Sequence, residues 1–424
     1  MLHPSVLPDT LPGWLAYIES QHPRSIAMGL DRVGEVWRRL QAKCDFPIIT
    51  VGGTNGKGST CAMLESVYRA AGYRVACYTS PHILRYNERV RIDQVEVADE
   101  ALCEAFLAVE RARQGVELTY FEFGTLAAVW HFAQCAVDIA VLEVGLGGRL
   151  DAVNIFEPAC AIVTSIDLDH MDYLGDTREQ IGLEKAGIYR PGVVAICGDE
   201  HPPSSLVEHA RQLGADYRQV RQAFDFRITE QGWEYRSGTT SPIILPMPAL
   251  TGDFQLFNAA CAIDAVLAMQ SRLPVSEQHM QQGLQQVSLA GRFQIMRSQP
   301  LLIMDVAHNP HAAEALARSL AHLPCEGRTL AVFSMLADKD IAGVVRALSA
   351  QVTQWYIAQI RNVRAAEVAS LTQIVGTEAP HAQTLVFTDL SRAFAQACRE
   401  AAENDRIIVF GSFFTVAEIM QELA

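Results

Sequence analysis

Short, continuous apolar runs rich in β-branched residues alternate with helix-like segments through almost the whole chain. The clearest lie at residues 47–51, 74–78, 138–144, 160–166 and 193–197, and again at 301–306, 330–334, 354–358, 384–387 and 406–410. A strand exposed on one face alternates apolar with polar residues. A strand buried on both faces does not, so these runs predict mostly parallel sheets covered by helices. At 424 residues the chain exceeds one ordinary core, and two domains are expected. The polar stretch 224–245, with Gly232 and Gly238, breaks the pattern and reads as hairpins. An amphipathic helix is expected over 257–269. After Ser288-Leu289-Ala290-Gly291-Arg292-Phe293 the strand-helix alternation starts afresh. The boundary is placed there: an N-terminal domain over 1–290, a linker over 291–298 and a C-terminal domain over 299–424.

The first strong run leads into Gly52-Gly53-Thr54-Asn55-Gly56-Lys57-Gly58-Ser59-Thr60. Strand, glycine-rich turn and helix start in that order form a phosphate cradle. Backbone N–H groups and the helix N-terminus face the anion, and Lys57 adds a full charge. The loop departs from the Walker A string: the first glycine is one residue late, and Gly58 separates Lys57 from Ser59. Cys61, Leu64, Tyr68 and Ala71 follow at helical spacing, and Gly72 marks the helix end.

Ligands of open parallel sheets sit beyond the carboxyl ends of the strands. Successive runs here end in the glycine loop, in Thr79-Ser80-Pro81-His82, at Glu143, and in Asp167-Leu168-Asp169-His170. A phosphate loop, a hydroxyl, a carboxylate and an imidazole thus converge on one sheet edge. Magnesium takes oxygen ligands, commonly one or two carboxylates with phosphate oxygens and waters, so Ser80, Glu143 and His170 are the candidate metal residues. Each has a plainer reading. Glu143 would pair with Arg149, Ser80 would cap a turn before Pro81, and His170 would cap a turn of its own.

The net charge of −14 argues against a general nucleic-acid binder. No apolar run reaches membrane-spanning length, and residues 1–5 lack the pattern of a signal peptide. Ten scattered cysteines without a C-x-x-C pair read as reduced, packed thiols, and the cytoplasm is the expected compartment.

Taken together, these strings resemble the folylpolyglutamate synthases of the Mur-ligase superfamily of ATP-dependent amide ligases. The resemblance rests on the loop 54–59, on Tyr120-Phe121-Glu122-Phe123-Gly124-Thr125, and on 142–154 with Gly145-Leu146-Gly147-Gly148-Arg149. Glu184-Lys185-Ala186-Gly187-Ile188, Asp305-Val306-Ala307-His308-Asn309-Pro310 and Gly411-Ser412-Phe413-Phe414 complete it, all in family order. The length and residues 14–32 look most like the bifunctional bacterial members. Val153 stands where many relatives have threonine, and Asp167 where some have alanine.

The resemblance implies an N-terminal P-loop ATPase-type domain, with a mostly parallel sheet flanked by helices, and a Rossmann-like α/β C-terminal domain. It implies ATP, two Mg²⁺ ions and two activities: joining L-glutamate to dihydropteroate, and extending reduced folates at the γ-carboxylate. The alternative is the second activity alone. Thr54 to Thr60, Asn258, Arg292 and Asp305 would then hold the nucleotide, and Ser80, Glu143 and His170 the metal. Ser25, Ile26, Ala27, Thr119, Tyr120, Phe121, Glu122 and Asp151 would hold the folate moiety, and Ser412 and His308 would serve glutamate binding or the second chemical step. Phe123 would add a third aromatic face, and Lys185 would be carbamylated. On residues alone, the aromatics read as core at a helix start, Asp151 as a partner of Arg149, Lys185 as a partner of Glu184 or of phosphate, and His308 as a helix-start residue. Small-molecule substrates and a monomer are the further expectations. Three other readings are disfavoured. A UDP-sugar ligase would carry a further nucleotide domain before the loop. A P-loop kinase would keep the unaltered loop. A dead binding protein would not retain Lys57, Glu143, His170 and Lys185.

Overall fold

The computed structural model describes residues 7–22, 26–238 and 240–423. The chain forms two compact units. One comprises the chain up to His82 with Tyr86–Pro248 and Phe257–Val287; the other comprises Ile83–Arg85, Ala249–Leu256 and the chain from Ser288 onward. The change at Ser288 lies beside the expected boundary, while the two short segments 83–85 and 249–256 had no compositional mark.

The first unit is built on eight strands: β1 (Ile48–Gly52), β2 (Val75–Tyr78), β3 (Val90–Ile92), β4 (Val95–Glu96), β5 (Ile139–Glu143), β6 (Cys160–Val163), β7 (Val194–Cys197) and β8 (Asp216–Gln219). Their order across the sheet is β4-β3-β2-β5-β1-β6-β7-β8. From β2 to β8 all neighbours are parallel, and only β3 and β4 run antiparallel at one edge. Every residue of β1, β5 and β6 is buried, the burial expected of strands covered on both faces.

The helix after the glycine loop, Lys57–Ala70, is buried all round from Ser59 to Tyr68 and does not show a single apolar stripe. Its second face is covered by the helix Glu277–Gln286. A Cβ on Gly283 would lie 2.5 Å from Val67 Cα, and Ser66 Oγ donates to Gly283 O at 2.8 Å. Gly72 follows the helix at φ 87°, as its position in the sequence predicts. The polar stretch forms an antiparallel meander of β9 (Phe224–Thr229), β10 (Gly232–Ser237) and β11 (Thr240–Leu245). The helix expected from residue 257 starts earlier, at Phe254.

The second unit has six strands: β12 (Gln294–Ser298), β13 (Leu301–Met304), β14 (Thr329–Phe333), β15 (Gln354–Ile357), β16 (Gln383–Val386) and β17 (Arg406–Phe410). Their order is β12-β13-β17-β14-β15-β16, with β12 alone antiparallel. Apolar clusters lie on both sides, one around Phe333, Trp355 and Phe410, the other around Leu330, Tyr356 and Val409. All ten cysteines are free thiols; Cys77, Cys160, Cys197 and Cys261 are buried, whereas Cys135 is only half-buried. Among the described residues, no helix is long and apolar enough to cross a membrane.

Candidate active site

The glycine loop connects β1 to the helix that starts at Lys57 and is pinned from both sides. Thr54 N donates to Ser165 O at 2.7 Å, Asn55 N to Ser165 Oγ at 3.1 Å, and Thr164 Oγ1 to Asn55 O at 2.6 Å. Lys57 Nζ turns back to Gly53 O and Thr54 O at 3.0 and 3.1 Å, which fixes its charge over the loop. Gly56 has φ 86°, and a Cβ there would meet Asn258 Oδ1 at 2.3 Å, so only glycine allows this approach. Asn258 is thereby brought against the phosphate loop across some 200 positions of sequence. Ser59 and Thr60 are buried at the first helical turn, where Thr60 N bonds Gly56 O at 2.9 Å; Thr60 Oγ1 has no hydrogen-bond partner among the described residues. An orphaned hydroxyl beside a glycine cradle fits a phosphate-bearing ligand.

Parallel register sets Val51 opposite Glu143, so β5 delivers its terminal carboxylate beside the phosphate loop. Glu143 is 4% exposed, and its Oε2 accepts the backbone N–H of Ser80 at 3.0 Å. Arg149 does not pair with it: that guanidinium binds Glu184 at 2.7 Å. Ser80 caps no helix. It stands between β2 and the short 3-10 turn Tyr86–Arg89, its hydroxyl on the same residue that holds the Glu143 carboxylate.

His170 differs from its expected placement. β6 ends at Val163, so a loop and not the strand end presents the imidazole. Its backbone is left-handed, φ 52°, and its side chain makes no capping bond to the helix Met171–Leu174 that follows. Nε2 lies 3.9 Å from Asp169 Oδ2. No cluster of three or more His, Cys, Asp or Glu side chains forms a ready metal cage among the described residues. An ion at Ser80 and Glu143 would complete its shell with water and phosphate oxygens, which is the habit of magnesium.

Lys185, on the helix Arg178–Ala186, is 3% exposed. Burial, reinforced by the nearby Lys57 charge, pushes its pKa down to about 7, while Asp169 and Asp151 pull weakly the other way. It does not pair with Glu184, which Arg149 occupies. The loop after β5 packs hard on this helix: a Cβ on Gly148 would lie 2.8 Å from Glu184 O, and one on Gly187 would lie 2.4 Å from Arg149 Cβ. Asp151 is likewise unpaired with Arg149. It accepts Leu146 N and Val153 N at 2.9 and 3.0 Å, and burial pushes its carboxyl up to about 7.

Thr119 and Glu122 form a reciprocal capping box at the start of the helix Tyr120–Gln134. Glu122 Oε2 accepts Thr119 N at 2.8 Å and Oε1 accepts Arg32 Nη2 at 2.9 Å, so this buried carboxylate serves the fold first. Arg32 also donates to Ala27 O at 2.8 Å, which ties the segment of Ile26 and Ala27 to the helix start; Ser25 lies outside the described residues. Phe121 stands against Gly145, where a Cβ would fall 2.5 Å from its ring, and Tyr120 is half-buried. Phe123 is fully buried among core side chains, including Phe106, and offers no face to a ligand, contrary to expectation.

In the second unit, Asp305 is buried and both its oxygens accept backbone N–H groups, from Phe293 at 2.8 Å and Ala307 at 2.7 Å. Burial raises its pKa, and the Arg292 charge opposes the rise. Arg292 lies over the Phe413 ring at 5.1 Å. Asn309, not His308, caps the helix Pro310–His322. His308 Nδ1 is 2.9 Å from Val306 O, an acceptor, which assigns the proton to that nitrogen. Ser412 is buried, and its Oγ accepts Thr415 N at 3.0 Å. Thr164 and Ser165, which brace the loop, were not singled out in the sequence, although a hydroxyl pair directly after an apolar run was visible there.

The chain matches the Mur ligase middle domain over residues 51–266 and the Mur ligase glutamate ligase domain over residues 291–413. A curated relative from Escherichia coli (strain K12), named dihydrofolate synthase/folylpolyglutamate synthase, is 43% identical over 97% of this chain and 95% of its own length. Among solved structures, E. coli FolC in complex with DHPP and ADP matches at a TM-score of 0.93 with 42% identity, covering 98% of each chain. A bifunctional folylpolyglutamate synthase/dihydrofolate synthase with Mn, AMPPNP and L-glutamate bound matches at 0.91 with 44% identity, over 99% of this chain and 100% of that one. The chain belongs to the Mur ligase family, and within it to the dihydrofolate synthase/folylpolyglutamate synthases.

Proposed function

We propose that this protein is an ATP-dependent amide ligase that joins L-glutamate to dihydropteroate and adds further glutamates to reduced folates. The observation that carries the reading is the Glu143 carboxylate, held by Ser80 N–H at the mouth of a glycine loop braced by Thr164 and Ser165. The relatives solved with ADP, and with AMPPNP and Mn, support a nucleotide and a divalent cation at such a loop.

A carboxylate is a poor electrophile and must be activated. Its oxygen attacks the γ-phosphorus of ATP, ADP leaves, and an acyl phosphate results. The glutamate amine then attacks the acyl carbon, and phosphate departs. Both steps gather negative charge, so positioning and electrostatic clamping carry the rate. Lys57 and the amides of residues 54–60 hold the β- and γ-phosphates. Asn258 closes the cradle at Gly56; Arg292 and Asp305, in the second unit, are the further residues that the family likeness assigns to the nucleotide. Ser80 and Glu143 would hold one Mg²⁺, and Glu143 with His170 a second; such ions would supply positive charge against the phosphate and the acceptor carboxylate, which otherwise repel.

Lys185 suits carbamylation. A buried amine with a pKa near 7 is largely unprotonated at mildly alkaline pH and attacks carbon dioxide, and the carbamate replaces a cation with an anion able to orient water on a metal. Ile26, Ala27, Tyr120, Phe121 and Asp151 line the pterin site, with Thr119 and Glu122 setting its helix. His308, its Nδ1 at 2.9 Å from Val306 O, and Ser412 are the second-unit residues that the family likeness assigns to glutamate binding or the second step. The free thiols suit a reducing compartment such as the cytoplasm.

The test is ADP release by purified protein with ATP, Mg²⁺ and L-glutamate, offered dihydropteroate or tetrahydrofolate in turn. Turnover with both is expected. Turnover with tetrahydrofolate alone reduces the protein to a folylpolyglutamate synthase, and turnover with neither removes the reading.

A further inference from the structure

Arg89 ends the turn Tyr86–Arg89, and its backbone carbonyl accepts Thr79 N at 2.9 Å, one residue before Ser80. Its guanidinium lies 5.4 Å from the Tyr86 ring centroid and 5.5 Å from that of Tyr120. Nε donates to His82 Nδ1 at 2.8 Å. That nitrogen accepts, so the imidazole proton sits on the other ring nitrogen.

Two aromatic rings and an imidazole therefore fix this guanidinium, while Nη1 and Nη2 make no hydrogen bond or ion pair with any described residue. Its neighbours in the same unit are spent: Arg32 on Glu122, Arg91 on Glu65 and Arg113 on Glu110. A preorganised guanidinium with its fork unpaired suits a carboxylate, which it binds through two parallel hydrogen bonds.

The two acceptors differ in just this group. Dihydropteroate carries one carboxylate, and it is the one that reacts. A folate already bearing glutamate reacts at its γ-carboxylate and brings an α-carboxylate that does not. A site shared by both acceptors needs a cation for the second carboxylate, close to the reacting one. Arg89 is one backbone hydrogen bond from Thr79, the residue before the Ser80 that holds Glu143, and its guanidinium lies against the ring of Tyr120. We propose that Arg89, held by His82, Tyr86 and Tyr120, binds the non-reacting α-carboxylate of the folyl acceptor and thereby favours chain extension over the first glutamylation. This rests on the proposed amide-ligase function.

The test measures kcat/KM for tetrahydrofolate and for dihydropteroate in the wild type, Arg89→Ala and Arg89→Lys, and adds tetrahydrofolate α-carboxamide as a third acceptor. In Arg89→Ala the ratio of tetrahydrofolate to dihydropteroate efficiency is expected to fall about tenfold or more, chiefly through KM, as for loss of a charged hydrogen bond. Arg89→Lys should recover part of it. The α-carboxamide should lower wild-type efficiency by a similar factor and add nothing to the Arg89→Ala loss. Equal losses on both acceptors, which would mark Arg89 as a fold residue or a site for the incoming glutamate, overturn the proposal. So does a wild type that uses the α-carboxamide as well as the acid. If the wild type turns over tetrahydrofolate alone, the α-carboxamide comparison decides by itself. If it turns over neither, the ligase reading fails and takes this inference with it.

Discussion

The backbone N–H of Ser80 donates to Glu143 Oε2 at 3.0 Å, joining the ends of two adjacent parallel strands, β2 and β5. Arg149, the cation nearest in sequence, is engaged with Glu184 and does not neutralise that carboxylate. Glu143→Gln keeps an oxygen for the Ser80 N–H and deletes the charge. Magnesium-dependent ADP release should drop at least ~100-fold, on the scale of losing a preorganised electrostatic contact, with little change in melting temperature. Steady-state kinetics across a magnesium titration check this, and a wild-type rate in the variant refutes the metal role.

Lys185 makes activity pH-dependent in a stated direction. Its pKa is lowered to about 7 from 10.5 by burial and by Lys57. Below about 7 the amine is protonated and cannot take up carbon dioxide, so activity should fall as pH drops through that value and recover with bicarbonate above it. Native mass spectrometry should find one added carbon dioxide, absent in Lys185→Arg. In protein free of metal and bicarbonate, the unfolded chain binds more protons than the fold between about 7 and 10.5, so stability should rise with pH across that window.

Gly145 has no room for a methyl group, because Phe121 lies where a Cβ would be, 2.5 Å away. Gly145→Ala must displace that ring or shift the loop after β5, at a cost of ~1–3 kcal/mol for overpacking. The expected result is a several-fold rise in KM for dihydropteroate. An unchanged KM, with a crystal structure showing Phe121 moved, would remove the ring from the substrate site.

Arg91 and Glu65 form a buried pair at 2.9 Å, and Arg91 Nη1 reaches Thr79 Oγ1 at 3.2 Å, beside Ser80. Arg91→Ala leaves Glu65 charged and buried, so urea unfolding should register a loss of ~3–5 kcal/mol. Replacing both partners with apolar residues of similar volume should restore most of that stability. If the single variant loses under 1 kcal/mol, on the scale of an exposed pair, the two side chains are solvated in solution.

β1, β5 and β6 are readable from sequence because burial on both faces leaves them continuous apolar runs. β8, with Asp216 and Arg218, and β12, with Ile295 and Met296 exposed, are edge strands. Solvent on one side erases the pattern that betrays a central strand. The two-residue β4 and three-residue β3 are too short to show any period. Among site residues, Glu143 announces itself by its position at a strand end and Lys57 by the glycine loop that leads into its helix. The depressed basicity of Lys185 does not, since it depends on Lys57 and on burial that no local window records. The Thr119–Glu122 box is a local signature, but the bond from Arg32 that claims the other Glu122 oxygen spans 90 positions.

β1 pairs with β5 and β6 and not with β2, the strand that follows it in sequence. A ribosome that has made residues 48–52 must therefore add nearly ninety more before either edge of that strand finds its partner, with β2 already waiting for the same β5. Until then this buried strand presents two open edges, the condition in which strands of different chains join each other. The arrangement that puts the phosphate loop at the middle of the sheet thus also leaves its strand waiting for a first partner longer than any other described strand, and makes it the segment whose synthesis a chaperone would have most reason to attend.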